Sequence, residues 1–331
     1  MRTIISTAIL IGGFCFGSLD SNTTKADYEW SNVTVAASFP QGYNNQVFVW
    51  GDMMVALNNG TWLSRNGKDW TKTTLPDSGT NSAYLSHVQF NGAIYALGSM
   101  TGNYKNFSIS TKIRRTRDLE NWETVAAKSN LPQRVFYGSV VFGGRIWIVG
   151  GYDGKNYLND VWNSADGVRW ERVVAEAPWS PRTKSVFTVF KDEMWLLGGG
   201  VIDGETEKNP TSEREVWATK DGKNWRRVQA DLNRKWRGTP VVFDGKLWLV
   251  GANRGGTFES AVWMTEDGSK WKELSAPWSP RGAVSAWVFG DKLYMTGGKS
   301  SHTENGEIKF VYSNDVWAMS RKTGGRNSDD D

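Results

Sequence analysis

A chain of 331 residues with 39% hydrophobic side chains can bury a sizeable core, and all-β closed folds often use this length as one unit. The net charge of +4 is too small to point to nucleic acid, and no basic helix or aromatic RNA-binding motif accompanies it. One cysteine and two histidines exclude a disulfide framework and argue against a metal site, while 19 tryptophans, each able to bury about 150–250 Å², promise aromatic layers between sheets.

Met1-Arg2-Thr3 followed by the apolar run Ile4 to Phe16 has the form of a secretory signal peptide. Cleavage is expected after Gly17 (segment 1–17), or as late as Ala26, which predicts a secreted or periplasmic protein, or one held at the cell surface. The only cysteine, Cys15, lies inside this segment, and Phe14 before it suits lipoprotein processing poorly. The mature chain would carry no thiol. No later stretch is apolar for long enough to cross a membrane as a helix. Asn22, Asn32, Asn59 and Asn106 each head an N-x-S/T sequon.

Tyr28 to Val35 reads as a strand with the pattern of Trp170-Glu171-Arg172-Val173-Val174. From there a unit of about fifty residues recurs, the signature of a solenoid, propeller or array. Each unit opens with a short strand ending in an aromatic, such as Ser139-Val140-Val141-Phe142 or Phe187-Thr188-Val189-Phe190. A tight turn leads to an apolar second strand that stops at glycine, with copies at 53–57, 93–97, 146–149, 194–197, 247–250 and 293–296. A variable polar loop follows, then a third strand carrying Val-Trp at 161–162, 216–217, 262–263 and 316–317.

The third strand runs into a turn of the form S/T-x-D/N-G-x-x-W, at 64–70, 116–122, 164–170, 219–225 and 265–271. Asp or Asn there bonds its own backbone and Gly takes positive φ, so these aspartates are read as turn punctuation rather than as ligands or catalysts. The sixth unit lacks that turn and stops near Met319. The strand at 28–35 is therefore expected to supply the missing fourth strand and close a ring of six sheets. Residues 321–331, ending in three aspartates, read as a disordered tail.

Strand, Gly-Gly, variable loop, Val-Trp and closing Trp resemble the kelch repeat, in residues 28–320. The Ala-Pro-Trp-Ser-Pro-Arg links at 177–182 and 276–281 resemble the bacterial branch of that family, within the superfamily of galactose oxidase central domains. The resemblance implies an all-β, six-bladed kelch-type β-propeller of four-stranded antiparallel blades. It does not imply one function, because this fold hosts enzymes, receptors and scaffolds. Leu57-Asn58-Asn59 replaces the double glycine in the first blade, and Ile113-Arg114 replaces Val-Trp in the second. Copper chemistry of the galactose-oxidase kind needs a Tyr–Cys cross-link and histidine ligands, so no cofactor or metal is expected.

The long loops and the links between blades share one face in such a ring, and the binding site is expected there. Eight residues before the aromatic of strand one stand Arg134, Arg182, Lys235 (with Arg237 two residues on) and Arg281 in the third to sixth blades, against no basic residue at that count in the first two. Two readings of this basic crescent stay open. Either it braces backbone carbonyls or is neutralised by loop carboxylates; or it binds an acidic ligand, which would relieve a repulsion of roughly 1.7 kcal/mol per pair about 10 Å apart at a dielectric near 20. His87 falls in a first-strand pattern and is read as structural, and His302 lies on a loop of the candidate face.

These features favour a monomeric, exported module binding a protein or glycan through the loop face. The alternative is a sugar mutarotase resembling bacterial N-acetylneuraminate epimerases, with Glu205 and Glu207 as candidate acid–base residues beside arginine.

Overall fold

The computed structural model describes residues 27–76, 78, 84–103, 106–200, 214–230, 238–254 and 257–322. The leader and residues 323–331 of the expected tail lie outside them, as do Glu205, Glu207, Lys235 and Arg237; Arg321, expected to open the disordered tail, instead ends a strand because it pairs with Tyr28. The described chain is all β. It starts with β1 (Tyr28–Thr34) and continues into blade 1, made of β2 (Gln46–Trp50), β3 (Met53–Leu57), β4 (Thr61–Ser64) and β5 (Thr71–Lys72). Blade 2 holds β6 (Ser86–Phe90), β7 (Ala93–Asn103), β8 (Asn106–Thr116) and β9 (Glu123–Ala126). Blade 3 holds β10 (Gly138–Phe142), β11 (Arg145–Tyr152), β12 (Tyr157–Ser164) and β13 (Glu171–Val174), and blade 4 holds β14 (Val186–Phe190), β15 (Glu193–Leu197), β16 (Val216–Thr219) and β17 (Arg226–Val228). Blade 5 consists of β18 (Thr239–Phe243), β19 (Lys246–Arg254), β20 (Thr257–Thr265) and β21 (Trp271–Ser275). The last stretch gives β22 (Ser285–Phe289), β23 (Lys292–Thr296), β24 (Lys299–Glu304), β25 (Glu307–Tyr312) and β26 (Val316–Arg321).

Six four-stranded antiparallel sheets result, five in sequence order and the sixth in the order β1-β26-β23-β22. Closure is as the sequence requires: Tyr28 pairs with Arg321, Trp30 with Met319 and Asn32 with Trp317. First strands neighbour one another about the axis, with β22 beside β2 and β6, β10, β14, β18 and β22 following in turn. Several stretches expected to be polar loops are instead regular hairpins. β7 and β8 pair out to Asn103 and Asn106, β19 and β20 out to Arg254 and Thr257, and β24–β25 forms a separate two-stranded arm. The irregularity at the glycines re-aims each ladder without ending it.

Six buried apolar clusters fill the six contacts between neighbouring blades. The turn glycines have a packing role as well as a conformational one. Gly222 sits at φ +69 against the Trp147 ring of the preceding blade, where a Cβ would stand 2.1 Å from it. The same pairing recurs at Gly67 with Tyr294, Gly167 with Tyr95 and Gly268 with Trp195. Blade 2 departs from it in a matched way. Its turn carries Leu119 at φ 60, and the facing position in blade 1 is Val55 instead of an aromatic, so the leucine occupies the volume a ring fills elsewhere. In blade 6, which has no such turn, Tyr28 of β1 packs edge-on against Trp248 at 4.9 Å.

Candidate functional site

Arg134, Arg182 and Arg281 are buried, at 2%, 1% and 5% exposure. Each guanidinium closes on its own blade. Arg134 donates from Nε to the Pro132 carbonyl, from Nη1 to the Gly150 carbonyl at 3.0 Å, and from Nη1 and Nη2 to both oxygens of Asp160 at 2.7 and 3.0 Å. Arg182 reaches the Ser180 and Gly198 carbonyls and Glu215 at 2.6 Å; Arg281 reaches Ser279, Gly297 and Asp315 at 2.5 Å. The same carboxylates accept the indole N–H of the Val-Trp tryptophan two residues on, Trp162, Trp217 or Trp317. Each guanidinium makes four such hydrogen bonds inside its blade, counting Ser180 Oγ for Arg182 and Ser279 Oγ for Arg281, which is the bracing geometry that one of the two readings of the crescent expected.

The signal for the brace was in the sequence, in the acid immediately before Val-Trp. Asp160, Glu215 and Asp315 occur in the blades whose link carries arginine, whereas blade 5 has Ala261 and blades 1 and 2 have Gly60 and Lys112. The brace also fixes the neighbouring blade. The backbone carbonyl of Arg182 accepts the N–H of Gly151 at 2.9 Å, and a Cβ on Gly150 would stand 2.8 Å from that oxygen. At the ring closure Gly298 donates to the Gly42 carbonyl in the same way.

The turn aspartates are equally committed. In the blade 4 turn Asp221 accepts the N–H groups of Lys223 and Asn224 at 2.9 and 2.8 Å, and Asn66 does the same in blade 1 without a charge. Backbone N–H groups are the chief cause that lowers Asp118 and Asp267 to about 2. For Asp221 burial pushes upward, and the N–H groups with the Asn224 side chain outweigh it, again giving about 2.

What remains for a ligand is the channel mouth on the link face. A cavity of about 430 Å³ opens there, within the size range of small-molecule sites. Its rim is set by the residue six positions before the strand-one aromatic: Asn44, Tyr84, Phe136, Lys184 and Ala283. In blade 5 that count falls on Arg237, outside the described residues. Asn44, Phe136, Lys184 and Ala283 all hold φ between 53° and 57°, a conformation that non-glycine residues rarely adopt. Its cause is a ring of bonds between blades: Phe136 N–H to the Tyr84 carbonyl at 2.7 Å, Lys184 N–H to Phe136 at 2.9 Å and Asn44 N–H to Ala283 at 2.8 Å. Each such turn leaves its side chain at the axis. Counting eight residues back found the braces; counting six finds the mouth.

Tyr84 and Phe136 pack at 5.0 Å, with the Lys184 ammonium 5.0 Å from the Phe136 ring. Lys299, at the root of β24, stands 4.9 Å from the Tyr43 ring. Ser86, Ser139, Ser185 and Thr239 add hydroxyls, and the described lining contains no carboxylate. His87 also borders the cavity but is buried, with Nε2 2.7 Å from the Ser78 hydroxyl. Burial, aided by the charge of Arg114, lowers its pKa to about 3, so it is neutral at physiological pH. That agrees with a structural histidine. His302 sits on the β24 arm, opposite Lys309.

The Kelch motif family model matches residues 133–163, which span the blade 3 brace from the link to Asn163. No curated protein sequence matches the chain. Among solved structures, that of YjhT, a kelch-type propeller, is similar with a TM-score of 0.63 at 12% identity, covering 84% of this chain and 99% of that one. The protein is an all-β, six-bladed β-propeller with a Kelch motif match in its third blade. At that identity the likeness speaks for the fold alone.

Proposed function

We propose that the protein is an exported binding module that holds an acidic ligand, a carboxylated sugar, at the channel mouth. The observation that carries this is the rim, where a turn repeated among the described blades brings Asn44, Phe136, Lys184 and Ala283 to a single cavity. Its described lining gathers two aromatic faces, amide and hydroxyl hydrogen-bonding groups, and the ammonium groups of Lys184 and Lys299. Aromatic faces take the apolar face of a pyranose, hydroxyls and amides take its hydroxyl groups, and lysine takes its carboxylate. Export rests on the leader sequence, and secretion followed by N-terminal sequencing of the mature protein tests it.

The experiment for the site is a glycan array probed with the full chain, followed by titration of the best ligands. Acidic glycans should bind in preference to neutral ones, and binding should weaken as salt rises. Lys184→Gln with Lys299→Gln should lower affinity by about tenfold or more. Equal binding of neutral and acidic glycans would sink the reading. The mutarotase alternative needs an acid and a base at the sugar. Its candidates, Glu205 and Glu207, lie outside the described residues, and His87 in the lining is held neutral. Anomer exchange of freshly dissolved α-N-acetylneuraminate, followed by NMR, decides it: exchange no faster than in buffer removes that alternative.

A further inference from the structure

The face around the mouth is not level. Blade 1 crosses from β3 to β4 in a tight turn, Asn58-Asn59-Gly60, whereas its neighbours carry the longest described arms, β7–β8 in blade 2 and β24–β25 in blade 6. Among the described residues, blade 1 is therefore a low saddle between two walls. The β24–β25 arm has six residues per strand, a reach of roughly 20 Å. It is tied at its root by Gly282–Lys299 and Gly42–Ser313 backbone bonds.

One face of the arm continues the cavity. Cross-strand pairing sets Lys299 opposite Tyr312, Ser301 opposite Phe310 and Thr303 opposite Ile308, so these six share a side. Phe310 and Tyr312 are 51% and 36% exposed, more than aromatic rings on such an arm need for folding. Tyr312 stacks on Tyr43 with centroids 5.5 Å apart and planes 20° off parallel. The Lys299 ammonium lies between, 4.9 Å from Tyr43 and 5.1 Å from Phe310. Tyr43 directly precedes the rim residue Asn44 and touches both Tyr312 and Lys299, which places it between the mouth and the arm. Phe136, Tyr84, Tyr43, Tyr312 and Phe310 thus form a track leading from the channel axis over the saddle, with a cation at each end of its inner half.

We propose that this track binds a linear acidic oligosaccharide, with one carboxylated unit at the mouth and the following units laid over Tyr43 onto the face of the β24–β25 arm. The proposal rests on the mouth reading above and extends it from one sugar to a chain. A row of rings interleaved with lysine and hydroxyl groups suits repeated pyranose units with repeated carboxylates. A single sugar would leave Phe310 and Tyr312 without a role.

The test is calorimetric titration of the full chain with uronic acid oligomers, galacturonates and mannuronates, from monomer to hexamer. Affinity should rise with length and then level off. Phe310→Ser combined with Tyr312→Ser should bring the hexamer down by about tenfold, a larger loss than the monomer suffers in the same variant, so that the gain with length disappears. A hexamer that binds no tighter than the monomer, or that ignores the double substitution, overturns the track while the mouth reading stands. Failure of every uronate, the monomer included, sinks both. Tight binding of a glutamate hexapeptide that needs Phe310 and Tyr312, with no uronate binding, would overturn the saccharide in favour of an acidic peptide.

Discussion

Blades 3 and 4 meet over Trp147, Trp179, Phe187 and Trp217, and each carries an arginine locked onto a carboxylate of its own third strand. Blades 1 and 2 meet over Val55, Leu57, Leu75, Ile94 and Leu119, with no aromatic among the buried residues of that cluster. In sequence, Gly42 and Ser82 occupy the position of the link arginine, eight residues before Trp50 and Phe90. One repeat thus serves two purposes within the same ring. Where tryptophan, glycine and the arginine brace occur together, each residue requires the others and the blade is fixed. Where they are absent, volume is conserved by exchange.

The largest expected effect comes from breaking a brace. Arg182→Met leaves Glu215 and the Gly198 carbonyl buried without their main donor and should cost about 3–5 kcal/mol in urea unfolding. Pairing it with Glu215→Met should restore much of the loss, as buried ion pairs replaced whole by apolar groups do. A single-variant loss below about 1 kcal/mol would show that the link is held by its backbone alone.

Exchanging the packing solutions comes next. Val55→Trp should collide with Leu119, and Leu119→Gly should leave a cavity, each costing about 2–3 kcal/mol. The double variant rebuilds the aromatic–glycine pair of the other blades and should recover to within about 1 kcal/mol of the parent. Additive losses would refute the compensation.

The smallest effect is the pH response of His87. Its folded pKa of about 3 lies below the ordinary 6.5, so on acidification the unfolded chain takes up the proton first. Stability is full above pH 6.5 and is lost as pH falls toward 3, by ~2 kcal/mol at pH 5. His87→Gln should remove the slope between pH 6.5 and 5 in equilibrium unfolding. An unchanged slope would place the cause elsewhere.

The ring itself was legible in the sequence, because strand period, glycine stops and turn chemistry are local and repeat. Closure by β1 was legible for the same reason, since a missing fourth strand and an extra one at the far end have only each other. The roles of the arginines were not settled by sequence, because both readings need basic residues near the rim and only the partner decides between them. Asp160, Glu215 and Asp315 are those partners, one strand away in space but 26, 33 and 34 residues away in sequence. The mouth residues were missed because Asn44, Phe136, Lys184 and Ala283 share a backbone conformation and no side-chain type. The β24–β25 arm was read as a loop because His302, Glu304 and Lys309 hide its alternation.

The pairing of Tyr28 with Arg321 has a bearing on how the molecule is made. Until the final strand leaves the ribosome, β1 has no companion and the first and fifth sheets each present a bare flank. Early sheets can nucleate during synthesis, but the circle locks only once β26 has emerged, in a step that joins two segments far apart along the polypeptide. A nascent chain of this design lacks its closing contact until both partners of that pairing exist.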